Sequence, residues 1–176
     1  MESLTIKELA PTVLDACCGS RMFWFNKENP NVIFQDIRNE SHTLCDGRKL
    51  NISPDVVANF TNMPYADNSF KLVVFDPPHL EKVGETSWLA KKYGKLPTDW
   101  PTMLKDGFKE CFRVLEPNGV LIFKWNEDQV KVSEVLKCTV VKPLFGHTTG
   151  RHGKTHWITF MKVALALPID GKEVEG

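Results

Sequence analysis

The chain has no C-x-x-C pair, no long apolar run and no excess of either charge. Its five cysteines, Cys17, Cys18, Cys45, Cys111 and Cys138, are odd in number and lack close metal-ligand spacing. That argues against a disulfide framework and a zinc site, so no metal is expected, and it fits a reducing cytoplasm. No segment approaches the roughly 20 apolar residues of a bilayer span. Met1 to Glu8 is charged and has no apolar signal core, so a cytoplasmic location and no membrane partner are expected. Lys plus Arg equals Asp plus Glu, 22 each, which leaves no electrostatic footprint for tight non-specific binding to DNA. What is present is an ordinary globular composition and enough length for one domain, residues 1–176, with a core over about 12–162.

Apolar runs and breakers alternate along the chain. Thr12 to Ala16, Val32 to Gln35, Asp55 to Phe60, Lys71 to Phe75 and Val120 to Trp125 read as strands. Thr139 to Phe145 and Thr155 to Lys162 read as a closing pair. Arg21 to Lys27 and Glu127 to Lys137 read as helices. Over Pro101 to Leu115 the period places Met103, Leu104, Phe108, Cys111, Phe112 and Leu115 on one helical face, with Asp99 as cap and Pro101 in the first turn. The pattern predicts a doubly wound, Rossmann-like α/β fold: a mostly parallel seven-stranded sheet, one strand antiparallel near the C-terminus. Residues 80–100 are long, polar and broken by Gly84, Gly94 and Pro97. A loop of that length bearing Trp88 and Tyr93 is expected to be functional.

Two strand ends carry chemistry. Asp15-Ala16-Cys17-Cys18-Gly19-Ser20 follows the first strand, where nucleotide-binding sheets bring backbone against a ligand and large side chains would block the approach. Asp36 ends the second strand about 20 residues later, where a carboxylate can accept from both ribose hydroxyls. The loop has no G-x-G-x-x-G pattern to hold a pyrophosphate on a helix N-terminus. This points away from dinucleotides and toward a phosphate-free nucleoside such as S-adenosylmethionine, its amino acid end against residues 15–19, its ribose against Asp36 and Ile37, and its adenine against Asn59 and Phe60. At the end of the fourth strand, Asp76-Pro77-Pro78-His79 sets a carboxylate in a rigid turn, since neither proline can donate to the ladder. Such a turn suits a planar group that bears an amine.

These segments resemble those of class I S-adenosylmethionine-dependent methyltransferases. Residues 15–21 are similar to the Asp-Pro-Phe-Cys-Gly-Ser-Gly cofactor loop of the amino-methyltransferases, and Asp76 to His79 resembles their Asp-Pro-Pro-Tyr catalytic motif. Residues 63–70 and 111–121 match the segments that flank that motif. Arg21 stands where the loop ends in glycine, and His79 where the motif has an aromatic ring. The whole chain also resembles small methyltransferases of phages and prophages of Gram-positive bacteria. The resemblance implies methylation of an exocyclic amine on a nucleic acid base, with Asp76, Pro77, Pro78 and His79 catalytic and DNA adenine or cytosine ahead of RNA. Trp88, Tyr93, Arg151 and Lys154 are candidate substrate contacts. No sequence-reading domain is visible, so target recognition falls to these loops or to a protein partner. An RNA methyltransferase, a non-catalytic cofactor-binding subunit, and an enzyme for small-molecule or protein amines are the competing readings.

Overall fold

The structure, a computed structural model, describes residues 10–44, 46–84, 87–150 and 152–163. Among them, seven strands form one sheet in the order β5-β2-β1-β6-β7-β9-β8. The strands are β1 (Val13–Asp15), β2 (Val32–Asp36), β5 (Val56–Val57), β6 (Phe70–Phe75), β7 (Leu115–Asn126), β8 (Phe145–Thr149) and β9 (Thr155–Met161). All run parallel except β9, which is antiparallel to both β7 and β8. This is the predicted Rossmann-like seven-stranded sheet. The chain reverses its direction of travel across the sheet between β1 and β6, and the crevice beyond their carboxyl ends is where open α/β sheets bind ligands.

Helix α2 (Trp100–Val114) follows the predicted period. It buries Leu104, Phe108, Cys111 and Val114. Phe108 meets Phe75, Phe123 and Phe160 at ring separations of 5.5, 5.0 and 5.9 Å. Asp99 sits at the N-cap position, but its side chain makes no capping bond; Pro101 occupies the first turn as expected. At the helix end, Arg113 donates to the Met63 and Tyr65 carbonyls and pairs with Asp67 and Glu110, fixing the loop before β6.

The remaining helices and two strands differ from the sequence reading. Residues 21–27 form turns, because Arg21 adopts φ 55°, outside the helical region. Its guanidinium lies 3.9 Å from the centre of the Phe34 ring, and Trp24 meets the same ring edge-on at 5.2 Å, so packing rather than helical period places this segment. The unassigned stretch 41–52 contributes the hairpin β3 (Glu40–Thr43) and β4 (Lys49–Ile52). The third strand shrinks to Val56–Val57, since the Asp55 side chain takes the Phe34 amide and Asn59 caps the Thr61 amide. Residues 80–100 contain the helix α1 (Trp88–Tyr93), capped by Ser87. Of the helix expected over 127–137, only α3 (Val132–Val135) and a 3-10 turn over Leu136–Cys138 form. Trp125 Nε1 donates to the Val130 carbonyl and Glu127 accepts the Val132 amide, which curls the chain first. The strand expected over 139–145 begins at Phe145 instead.

Candidate functional site

The loop after β1 is anchored from several directions. The Cys18 amide donates to the Gln35 carbonyl at 2.8 Å, and Gly19, at φ 50°, donates its amide to Asp36 Oδ2 at 2.9 Å. Asp15 lies wholly buried beneath this loop. It accepts from Trp24 Nε1 at 2.6 Å and from the Cys17 amide at 3.2 Å. Burial pushes its pKa up to about 7, against the pull of those two bonds. Burial likewise raises the Cys17 thiol, and that of Cys18 to about 12, so neither is a thiolate near neutrality.

Arg21 closes the loop. It takes the left-handed conformation a glycine would take. The side chain compensates by donating to the Lys27 carbonyl, the Ser53 carbonyl at 2.8 Å and Asp55 at 3.0 Å.

Asp36 is heavily engaged. Besides Gly19, the Arg38 amide and Arg38 Nε both donate to its Oδ1, at 2.9 and 3.1 Å. Arg38 Nη1 then reaches the Lys91 carbonyl on α1 at 2.9 Å. One arginine thus bridges the end of β2 to the helix that roofs the site.

Asp76 leaves β6 between β1 and β7. Lys124, on β7, donates to its Oδ2 at 2.5 Å. The ammonium lies 5.3 Å from the Phe23 ring centre and 5.6 Å from that of Trp157. Burial raises the Asp76 pKa, and Lys124 pulls it back. Burial lowers His79 to about 4, helped by the Lys124 charge, so the imidazole is neutral at physiological pH. The His79 ring sits 5.5 Å from Tyr93 and 6.2 Å from the wholly buried Trp125. Gly94 ends α1 at φ 75° against Pro78; a Cβ there would come 2.9 Å from Pro78 Cγ. The turn and α1 are therefore packed as one piece.

Two cavities meet at this point. The first, about 70 Å³, is bounded by residues 16–20, Asp36, Ile37, Arg38, Phe60, the Asp76–His79 turn, Lys92 and Tyr93. The second, about 560 Å³, shares Met22, Asp76, His79 and Tyr93 with it and extends to Lys124, Asn126, Asp128, His152 and Lys154. Of the residues singled out in the sequence, Ala16, Cys17, Cys18, Gly19, Asp36, Ile37, Phe60, Tyr93 and the whole 76–79 turn border the first cavity. Asp15 lies below it. Asn59 borders neither cavity, and Trp88 is 44 % exposed and also borders neither. Lys154 borders the second cavity, but its ammonium is paired with Asp128. Arg151 lies outside the described residues.

Arg38, Lys92, Met22, Phe23 and Lys124 border or reach the site without being expected there from the sequence. A signal existed for two of them. Arg38 follows Asp36 by two, the same-side spacing of extended chain, and Lys124 is the polar member of the otherwise apolar run Val120–Trp125.

No family model matches the chain, and no curated protein matches it either. Solved structures do. A TehB-like SAM-dependent methyltransferase of Corynebacterium glutamicum superposes with a TM-score of 0.56 at 12% identity, over 87% of this chain and 80% of that one. A 1,6-didemethyltoxoflavin-N1-methyltransferase of Burkholderia thailandensis, with bound S-adenosylhomocysteine, gives 0.52 at 12% identity, over 86% and 71%. A SAM-dependent methyltransferase of Methanosarcina mazei gives 0.51 at 12% identity, over 86% and 92%. The chain has the Rossmann-like fold of class I S-adenosylmethionine-dependent methyltransferases; at these identities the likeness is one of fold.

Proposed function

We propose that this protein is an S-adenosylmethionine-dependent methyltransferase that acts on an exocyclic amine of a nucleic acid base, adenine or cytosine in DNA. The observation that carries the reading is the meeting of the two cavities at Asp76 and His79, at the carboxyl end of β6. The residues of the first cavity suit the cofactor. The loop after β1 is built of small residues, no helix follows it among the described residues to hold a pyrophosphate, and Asp36 and Phe60 offer a carboxylate and an aromatic wall. Residues 16–19 would hold the amino acid end and Asp36 with Ile37 the ribose. Arg38 must leave Asp36 for that to happen, because its guanidinium lies over Gly19, 3.9 Å from where a Cβ would sit, and the cavity is too small for a nucleoside. When bound, S-adenosylmethionine supplies an electrophilic methyl group on a sulfonium.

The chain's own residues act on the amine. Its lone pair is delocalised into the base, so the nitrogen is a weak nucleophile. Asp76 Oδ1 and the Pro77 carbonyl accept from its two N–H groups and favour the pyramidal form, and the departing proton is taken on the Asp76 side. Alignment and preorganised acceptors supply most of the rate. His79 and Tyr93 border the second cavity as rings against which a base can lie. In a duplex the base must be flipped out to reach them.

The second reading is a small-molecule amine. Pairing of Lys154 with Asp128 favours it, because that lysine is not free to meet a phosphate. One experiment separates the readings. The purified protein is incubated with methyl-labelled cofactor and, in parallel, duplex DNA, single-stranded DNA, total RNA, protein extract and a small-metabolite extract. Label in nucleosides from DNA, lost in Asp76→Ala, is the expected result. Label only in RNA, protein or small molecules overturns the DNA assignment, and cofactor binding without transfer to anything overturns the enzyme.

A further inference from the structure

The Asp76 carboxylate is held asymmetrically. Its Oδ2 accepts from Lys124 at 2.5 Å, while its Oδ1 accepts no hydrogen bond from any described residue. Lys124 reaches it from the central strand β7, whose neighbours on that face alternate with the buried Leu121, Phe123 and Trp125. The ammonium is held over the rings of Phe23 and Trp157 from two directions, and its only hydrogen bond among the described residues goes to Asp76. A lysine so confined has little freedom to leave its partner, in contrast to a surface pair.

We infer that Lys124 is a positioning residue of the methyl-acceptor site: it fixes one oxygen of Asp76 and turns the other oxygen to the incoming amine. The inference rests on the methyltransferase reading of this site for its purpose, though not for its geometry.

The physical need is clear from the surroundings. Asp15 faces Asp76 from β1, the Cys17 thiol from the loop above it and neutral His79 from its own turn; Lys124 is the cation among these groups. Burial favours a protonated Asp76, which would present a hydroxyl donor to one of the amine's N–H groups. Lys124 opposes it. A carboxylate beside a cation is shifted down by roughly 1–3 pH units, and removal of the cation reverses that shift.

The test uses the full chain with carboxyl-labelled aspartate, in wild type, Lys124→Met and Lys124→Arg. Nuclear magnetic resonance titration follows the Asp76 carboxyl, assigned by its loss in Asp76→Asn. In Lys124→Met the Asp76 midpoint is expected to rise by about one pH unit or more, and in Lys124→Arg to stay near wild type. The acid limb of the methyl-transfer rate should move up with the midpoint in Lys124→Met, so that activity lost along that limb returns at higher pH. An Asp76 midpoint that does not move in Lys124→Met overturns the inference. So does a rate that falls equally at every pH and is not restored by arginine, which would mark a purely structural lysine. If the midpoint moves but even the wild type methylates nothing, the methyltransferase reading falls while the hold of Lys124 on Asp76 stands.

Discussion

Replacement of Gly107 by alanine sets two measurable effects against each other. In an exposed helix interior the change would stabilise by about 1 kcal/mol, because glycine is the poorer helix former. Gly107, however, is buried on the sheet-facing side of α2. A Cβ at this position would fall 2.8 Å from Phe60 Cδ2 and 2.8 Å from Phe75 Cζ. Phe75 cannot retreat, since it is wholly buried and ringed by Phe60, Phe108 and Phe123 at 5.1, 5.5 and 5.7 Å. Phe60 can give only toward the first cavity, which it borders. Overpacking of this kind costs about 1–3 kcal/mol, so the clash outweighs the propensity gain. Gly107→Ala should destabilise by about 1 kcal/mol net, a fall in Tm of about 2–4 °C for a chain of this size. It should also weaken S-adenosylhomocysteine binding, because the displaced ring intrudes on the ligand. Urea unfolding gives the first quantity and titration calorimetry the second. Adding Phe60→Leu should recover part of the stability, since leucine leaves room for the methyl group. A Gly107→Ala protein more stable than wild type by the full propensity difference would show that the rings yield freely and that the packing argument is wrong.

Arg21→Gly relieves a left-handed backbone worth about 1 kcal/mol but removes three hydrogen bonds and the contact with Phe34, so unfolding in urea should show a net loss of about 1–2 kcal/mol; a gain would mean that the side chain compensates nothing. Arg38→Met removes the guanidinium from Asp36 and should tighten S-adenosylhomocysteine binding about fivefold, the equivalent of roughly 1 kcal/mol for a partly exposed pair; weaker binding would assign Arg38 to the ligand instead. Asp15, raised to about 7, holds in the folded state a proton that the unfolded chain releases near 3.8, so its contribution to stability is lost as pH rises through that window. His79, lowered to about 4, acts in the opposite sense, with stability lost as pH falls from 6.5 toward 4. Between pH 4 and 6.5, relative to wild type, stability should therefore rise more steeply with pH in Asp15→Asn and fall more steeply in His79→Phe; unaltered slopes in urea unfolding would refute both assignments.

The parts of this fold that could be read from sequence are those where one local rule acts alone. The apolar run into Asp76-Pro77-Pro78 has the length and breakers of a buried strand, and residues 101–115 carry a helical period that α2 follows almost to the residue. Illegible parts are those where a distant partner overrides the local pattern. Residues 21–27 have the composition of a short helix, yet Arg21 is held left-handed by groups at 27, 53 and 55. Residues 127–131 read as helix, yet the indole of Trp125 takes the Val130 carbonyl. The same holds within the site. Asp36 and Asp76 announce themselves as acids at strand ends, whereas Arg38 and Lys124 carry fainter local signals, and their partners emerge when the sheet order brings Lys124 beside Asp76 and the chain beyond Asp76 folds α1 over Arg38.

The site holds three acids within a chain of zero net charge, and each is balanced by a different device. Asp15 keeps its proton to near neutrality, Asp36 carries Arg38 and the Gly19 amide, and Asp76 carries Lys124. The two cations differ in how they are rooted. Arg38 lies in coil just beyond β2 and reaches a backbone carbonyl on α1, so its release from Asp36 exchanges partners that water or a ribose can replace. Lys124 is planted on a central strand between two aromatic rings, and its release would leave Asp76 without its one side-chain partner among the described residues. Exchange at Asp36 and permanence at Asp76 follow from that difference. On the methyltransferase proposal, that division lets Asp36 receive a visiting nucleoside while Asp76 stays held and aimed.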